Sequence, residues 1–463
     1  MTTLKTGLLP LYVKFYDEVL PDLAAQVEPF VHRVETALKT GGLDVLVAPT
    51  ARTHPDFACA IAQFEAAGVD AIITLHLAYS PSLEAADVLA GTTLPLVMLD
   101  TSPDWDFGRE VDPMRLLLNH GIHGVQDLAS VLRRRGKPYQ VVAGHLDDPG
   151  WIPRCLEVVR AARAAKFLRS MRALRIGGVF PGMGDFAVPD GVLLSSLGIA
   201  VHDIAPGDLA DSITAVDEAA IAAELASDTK QFQVDCDQAV HERSLRCGLG
   251  LRHYLQQGNF GAFSLNFLEF KESTGPVNTV PFLECCKAMA RGVGYAGEGD
   301  VLTASLVGAL LQGFGSTTFT EIFCADWAGQ SLFLSHMGEI NCDGTAAQPI
   351  LFEKEFPFTP ALNPATLACA PRPGRATFVN LSPGPDDSFR LITAPVEVLA
   401  DGTHPDLNRW VRGWIRPAIP LPRFLEEFSH LGGTHHSALM SGDHCSAMAA
   451  FTSFLKIEHC PIS

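Results

Sequence analysis

The chain has 463 residues, with 34 Lys and Arg against 52 Asp and Glu and a formal net charge of −18. That length exceeds one ordinary hydrophobic core, so two or three domains are expected. The acidic balance opposes binding to nucleic acid and anionic membrane surfaces, and the longest apolar runs are too short and too mixed to span a bilayer.

The N-terminus shows no cleavable leader pattern, since Lys5 precedes only a short apolar run broken by Pro10 and Lys14; a cytoplasmic protein is expected. Eleven cysteines without a CxxC spacing suggest reduced thiols used as small hydrophobes.

In chain order, Leu8–Phe15, Asp44–Ala48, Ala71–His76, Leu94–Leu99 and Tyr139–Ala143 read as strands. Between them Leu20–Thr40, Pro55–Ala67, Val125–Arg135 and Pro153–Ser170 read as helices. Continuous apolar strands alternating with amphipathic helices predict a parallel sheet covered on both faces, with ligands at the carboxyl ends of its strands. His76 and Tyr79 stand at such an end, and His120 and His123 flank glycines just before a helix. Such histidines can equally cap or pack.

A second α/β segment runs from Met171 to about Gly315, with ALRIGGVF, GIAVHDI and GAFSLNF as strands and Asp208–Asp228 and Lys230–Gln256 as long helices. Its GGVFPGMGDF stretch lacks both the GxGxxG order and the Lys-Ser/Thr of a phosphate loop, which argues against nucleotide binding. From Ser316 onward the pattern becomes β-rich, and Pro349–Pro373 reads as a long surface connection. The predicted architecture is therefore two Rossmann-like parallel-sheet α/β domains (1–170 and 171–315) followed by a mainly antiparallel, β-barrel-like domain (316–463).

The segment Gly294–Glu339 concentrates the polar chemistry, placing Glu298, Glu321 and His336 in apolar surroundings. Asp300 is a good N-cap for the apolar run Val301–Leu311. If Phe319–Asp326 and Ser331–Gly338 form a hairpin turning at Ala328-Gly329, Glu321 and His336 face each other with Cβ atoms about 5 Å apart, close enough to share a metal ion. A plain cross-strand hydrogen bond is the simpler alternative. A fourth ligand could come from His435-His436 in GGTHHS.

GYAGEGD, TFTEIF, LSHMGEI and GGTHHS, in that order, resemble the L-arabinose isomerase family, with a more distant relation to L-fucose isomerases. The resemblance implies a divalent metal, Mn²⁺ with Co²⁺, Fe²⁺ or Zn²⁺ as alternatives, held by Glu298, Glu321, His336 and one His of the pair, His436 being the closer match. It implies that Glu298 and Glu321 are also the acid and base of aldose–ketose isomerisation through a cis-enediol. By the same comparison Tyr12, Tyr79, His123, Met183, Phe267 and His435 contact the sugar. Three positions depart from the family pattern: GLLPLYV lacks the family's Gln, Tyr79 replaces its Phe, and Gly184 stands where it has a basic residue. The resemblance also implies a homo-oligomer, a hexamer whose active sites are shared between subunits. An epimerase using the same metal site, or a sugar-binding protein without catalysis, would be the competing readings.

Overall fold

The computed structural model describes residues 3–402 and 404–463. They divide into two compact units, Met1–Lys166 with Ala449–Lys456 and Phe167–Met448 with Ile457–Ser463.

In the first unit the apolar runs pair as a parallel sheet. Its strands are β1 (Leu4–Leu11), β2 (Leu43–Val47), β3 (Ala71–His76), β4 (Leu96–Asp100) and β5 (Tyr139–Ala143), in the order β2-β1-β3-β4-β5. β3 is buried along its whole length, as a strand covered on both faces must be. The helix Leu23–Thr40 buries Leu23, Val27, Phe30, Val31, Val34 and Leu38, a stripe with helical period. The helix His54–Ala66 opens with a capping box between Thr53 and Asp56 and a proline in its first turn. Strand order reverses between β1 and β3, the switch point at which open α/β sheets leave a crevice. Tyr12 and His76 stand there.

The second unit has its own parallel sheet of β6 (Arg172–Ile176), β7 (Ala200–Ile204), β9 (Ala262–Leu265) and β10 (Gly294–Gly297), in the order β10-β9-β6-β7. The short β8 (Gln233–Asp235) lies between the helices Glu218–Gln231 and Gln238–Gln257. Next to β10 the helix Val301–Phe314 is buried on nearly every face. Gly294 permits this approach, because a Cβ there would sit 2.1 Å from the Ala304 carbonyl oxygen.

The β-rich segment closes on itself. β11 (Thr317–Asp326), β12 (Ser331–Ser335), β15 (Gly374–Pro383), β16 (Phe389–Val398), β17 (Gly413–Pro417) and β18 (His436–Ser441) run β15-β18-β11-β12-β17-β16, and β15 pairs back to β16. This is an antiparallel barrel, with β19 (Glu458–Pro461) added in parallel to β16. Its core includes Leu332, Phe378, Ile392, Ile415, Phe424 and Leu439.

Two expectations are corrected. Pro349–Pro373 is not a plain surface loop: β13 (Ile350–Glu353) and β14 (Ala365–Ala368) pair within it and join β8 in a small sheet. Leu351, Ala365 and Leu367 bury their side chains there, apolar runs too short to stand out among the prolines. The hairpin register also differs. From Asp326 opposite Ser331 to Cys324 opposite Phe333 it is as predicted, but a bulge between Ile322 and Cys324 shifts the pairing. Glu321 therefore opposes Ser335, and His336 lies just beyond the strand.

Candidate metal centre

Glu298 follows β10, at the carboxyl edge of the second parallel sheet. Its φ of +66° lies in the left-handed region that residues other than glycine rarely adopt. The conformation is held from both sides: its N–H donates to the Leu265 carbonyl and its carbonyl accepts the Phe180 N–H, both at 2.9 Å. Gly297 is required for close approach, since a Cβ there would lie 2.7 Å from the His336 ring. Asp300 caps the helix Val301–Phe314 by accepting the Thr303 N–H at 2.8 Å. Its second carboxylate oxygen is 3.0 Å from His436 Nδ1.

Glu321, in β11, is registered against His436 of β18 on one side and Ser335 of β12 on the other. His336 Nδ1 lies 2.8 Å from Glu339 Oε2, and Glu339 Oε1 accepts the Tyr295 hydroxyl at 2.7 Å. Both imidazoles thus spend Nδ1 on a carboxylate. Their Nε2 atoms are left buried and without a hydrogen-bond partner.

Those two nitrogens share a small space with carboxylate oxygens. His336 Nε2 is 3.9 Å from Glu321 Oε2, while His436 Nε2 and His435 Nε2 are 3.4 and 3.7 Å from Glu298 Oε2. The ligand atoms of Glu321, His336 and His436 lie within 4.8 Å of one another, and so do those of Glu298, His435 and His436. Donors about 2.0–2.2 Å from a common divalent ion would be spaced on this scale. The residues fit such an ion, because it would satisfy the two orphaned nitrogens whose burial otherwise costs free energy.

Rigid surroundings fix these rings. Phe319 meets His336 and His436 edge-on, with centroids 4.8 and 5.0 Å away, and Phe186 stacks on His436 at 5.0 Å. The buried Asn380 amide donates to the Thr434 and His436 carbonyls at 2.9 and 2.7 Å, clamping the turn that delivers the histidine pair. Asp185 binds His435 twice, through its N–H at 2.9 Å and its Nδ1 at 2.6 Å.

The two glutamates titrate differently. Burial pushes Glu298 up, yet the His435, His436 and His336 imidazoles outweigh it and hold the carboxyl well below the usual carboxylate range. Burial of Glu321 prevails over the same imidazoles and raises its carboxyl. His436 is raised to about 9, since Asp300 and Glu298 overcome the effect of its burial.

Comparison with known proteins decides the family. Residues 182–312 match the L-arabinose isomerase central domain and residues 316–458 the L-arabinose isomerase C-terminal domain. The L-arabinose isomerase of Shouchella clausii is 28% identical over 98% of this chain and 93% of its own length. That of a Nocardioides species is 30% identical over 83% and 79%, and that of Acidothermus cellulolyticus 27% identical over 96% and 90%.

The chain belongs to the L-arabinose isomerase family. It is by that membership an aldose–ketose isomerase, an intramolecular oxidoreductase.

Of the residues singled out from the arabinose isomerase pattern, Glu298, Glu321, His336, His435 and His436 come together in the second unit. Phe267 is buried just past β9, and Met183 is half-buried in the loop after β6. Tyr12, Tyr79 and His123 belong to the first unit. Tyr12 is fully buried with its hydroxyl unpartnered, Tyr79 donates to Asp127 at 3.3 Å, and His123 is exposed. Sequence reasoning missed Glu339, Asp185 and the second role of Asp300. Glu339 carried the one usable signal, an acid three residues beyond His336 in an apolar stretch.

Proposed function

We propose that the protein interconverts an unphosphorylated aldose and its ketose through a cis-enediol, with Glu298, Glu321, His336 and His436 holding one divalent cation. The observation that carries this reading is the pair of buried, unpartnered Nε2 atoms on His336 and His436 beside two carboxylates. The mixed oxygen and nitrogen donors favour Mn²⁺, with Co²⁺, Fe²⁺ or Zn²⁺ as alternatives. When bound, the cation supplies Lewis acidity to the substrate's carbonyl and adjacent hydroxyl.

The chain's own groups move the protons. In the family pattern Glu298 and Glu321 are the base and acid that move the proton between the two carbons. Tyr12, Tyr79, His123, Met183, Phe267 and His435 are assigned to the sugar by the family pattern. The relatives are named for L-arabinose. Here the Gln of the family's entrance motif is replaced by an apolar residue, so the substrate is proposed only as an aldose. Family pattern also supports a homo-oligomer, a hexamer with shared sites, working in the cytoplasm on a small sugar. Among the described residues no helix is long and apolar enough to cross a membrane.

The test is ketose formation from a panel of pentoses and 6-deoxyhexoses. Turnover is expected to vanish after chelation and return with Mn²⁺. Glu321→Ala and His336→Ala should lose stoichiometric metal and turnover together, and full activity in either would sink the assignment. Product analysis by chromatography separates a ketose from an epimer.

A further inference from the structure

β6, β9 and β10 are adjacent parallel strands, and the loops leaving their carboxyl ends carry Phe180, Phe267 and Glu298 in turn. Phe180 is tied directly to the metal-site residue, its N–H donating to the Glu298 carbonyl at 2.9 Å. From there aromatic rings continue outward. Phe180 and Phe267 have centroids 5.4 Å apart, Phe267 lies 5.3 Å from Phe356 and 6.2 Å from Phe358, and Phe356 and Phe358 are 5.1 Å apart.

The rings differ in exposure. Phe267 and Phe356 are 4% and 2% exposed and form a floor, whereas Phe358 is 54% exposed and Phe180 half-buried. Phe358 leaves a large aromatic face open beside Phe267, the ring that follows the β9 strand end, a contact waiting for an apolar surface. Beside it the loop is bare: a Cβ on Gly178, Gly182 or Gly184 would meet nothing within 4 Å. No charged side chain stands between Gly177 and Gly184. Asp185, which follows, is committed to His435, and Lys354 sits over the Trp410 ring at 5.4 Å.

We infer that Phe180, Phe267 and Phe358 form a shelf for the tail of the sugar, and that the preferred substrate is a deoxyaldose ending in a methyl group. This rests on the isomerase reading, in which the carbonyl end of the aldose lies at Glu298 and Glu321. The remaining carbons then need somewhere to go. The three ring faces offer no hydrogen bond and accept C–H groups, and Glu269, which packs on Gly177, is already paired with Lys271 at 2.8 Å, so a terminal hydroxyl set on the rings is left unpaired, which disfavours the hydroxymethyl parent.

The experiment compares kcat/KM within pairs differing only at the last carbon: L-fucose with L-galactose, L-rhamnose with L-mannose, and 5-deoxy-L-arabinose with L-arabinose. In every pair that is turned over, the methyl sugar is expected to be favoured about 10-fold or more, mainly through KM. Phe180→Ser and Phe358→Ser should each bring the ratio towards one. Saturation-transfer NMR on metal-free protein supplies a readout independent of turnover. The methyl group of 5-deoxy-L-arabinitol should receive strong saturation, lost in both variants. A ratio at or below one, or a preference that survives both substitutions, overturns the inference. So does a Phe358→Ser protein whose only change is its assembly size, since Phe358 would then be a contact between copies. If no aldose reacts yet the methyl saturation is seen, the isomerase reading fails and the shelf stands; turnover without preference removes the shelf alone.

Discussion

His336 can offer Nε2 to a cation only while its proton resides on Nδ1, and Glu339 is the acceptor placed to keep it there, 2.8 Å away. Glu339→Gln keeps the shape and removes the charge, so metal affinity should fall about 10- to 100-fold, read by titration calorimetry with Mn²⁺. Unchanged affinity would reduce Glu339 to packing. The first unit contains another constrained imidazole, His76, fully buried with both ring nitrogens unpartnered. Burial, opposed in part by Asp127, lowers its pKa to about 4. The unfolded chain therefore takes up the proton first as pH falls from about 6.5, and stability declines through the window down to about 4, by about 3 kcal/mol. Urea unfolding of His76→Gln should lack that part of the decline; parallel losses in both proteins would clear His76 of the role. The proposed ligands could be named from the sequence because the motifs specify residue types. Of their carboxylate partners Glu339 had a local signal, three residues past His336, whereas Asp300 had none, since it pairs with a histidine 136 positions away.

At the scale of elements, periodicity located most strands and helices, and the failures lie where local sequence carries little signal. The bulge after Ile322 inserts a residue into β11 without a glycine or proline to announce it, so the predicted hairpin register was off by one at the position that mattered. Pairing to β18 supplied what the hairpin did not, setting Glu321 beside His436. A similar long-range dependence governs the helices Glu218–Gln231, Gln238–Gln257 and Phe282–Ala290. Lys287, 6% exposed, binds Glu224 at 2.9 Å and also Asp228, which in turn holds His241 at 2.8 Å. Arg252 bridges Glu224 and Glu284. Nothing in local sequence reveals this network, because its charges look like solvated helix faces until the helices pack. Lys287→Ala leaves Asp228 buried without its ammonium and should cost about 3–5 kcal/mol in chemical unfolding. Adding Asp228→Leu to Lys287→Met should recover much of that loss, and a double variant as unstable as the single one would contradict the electrostatic account.

For the whole molecule, the division of labour between the units becomes a matter of assembly. The second unit holds the proposed cation ligands, while Tyr12, Tyr79 and His123 belong to the first. If sites are shared between subunits, as proposed from the family pattern, damage to one unit and damage to the other are separable in trans. A Tyr12→Ala, His123→Ala chain and a Glu321→Ala chain would each be inactive alone. Co-assembled at equal amounts from denaturant, they should regain about a quarter of wild-type turnover, because half of the neighbours offer an intact first unit and half of those meet an intact second unit. Two chains that complete their sites internally would regain nothing on mixing, and light scattering on the same samples would show whether a mixed oligomer formed. Recovery of activity thus requires both the assembly and the sharing. A mixed oligomer without activity would keep the first and remove the second, leaving Tyr12 and His123 to act within their own chain.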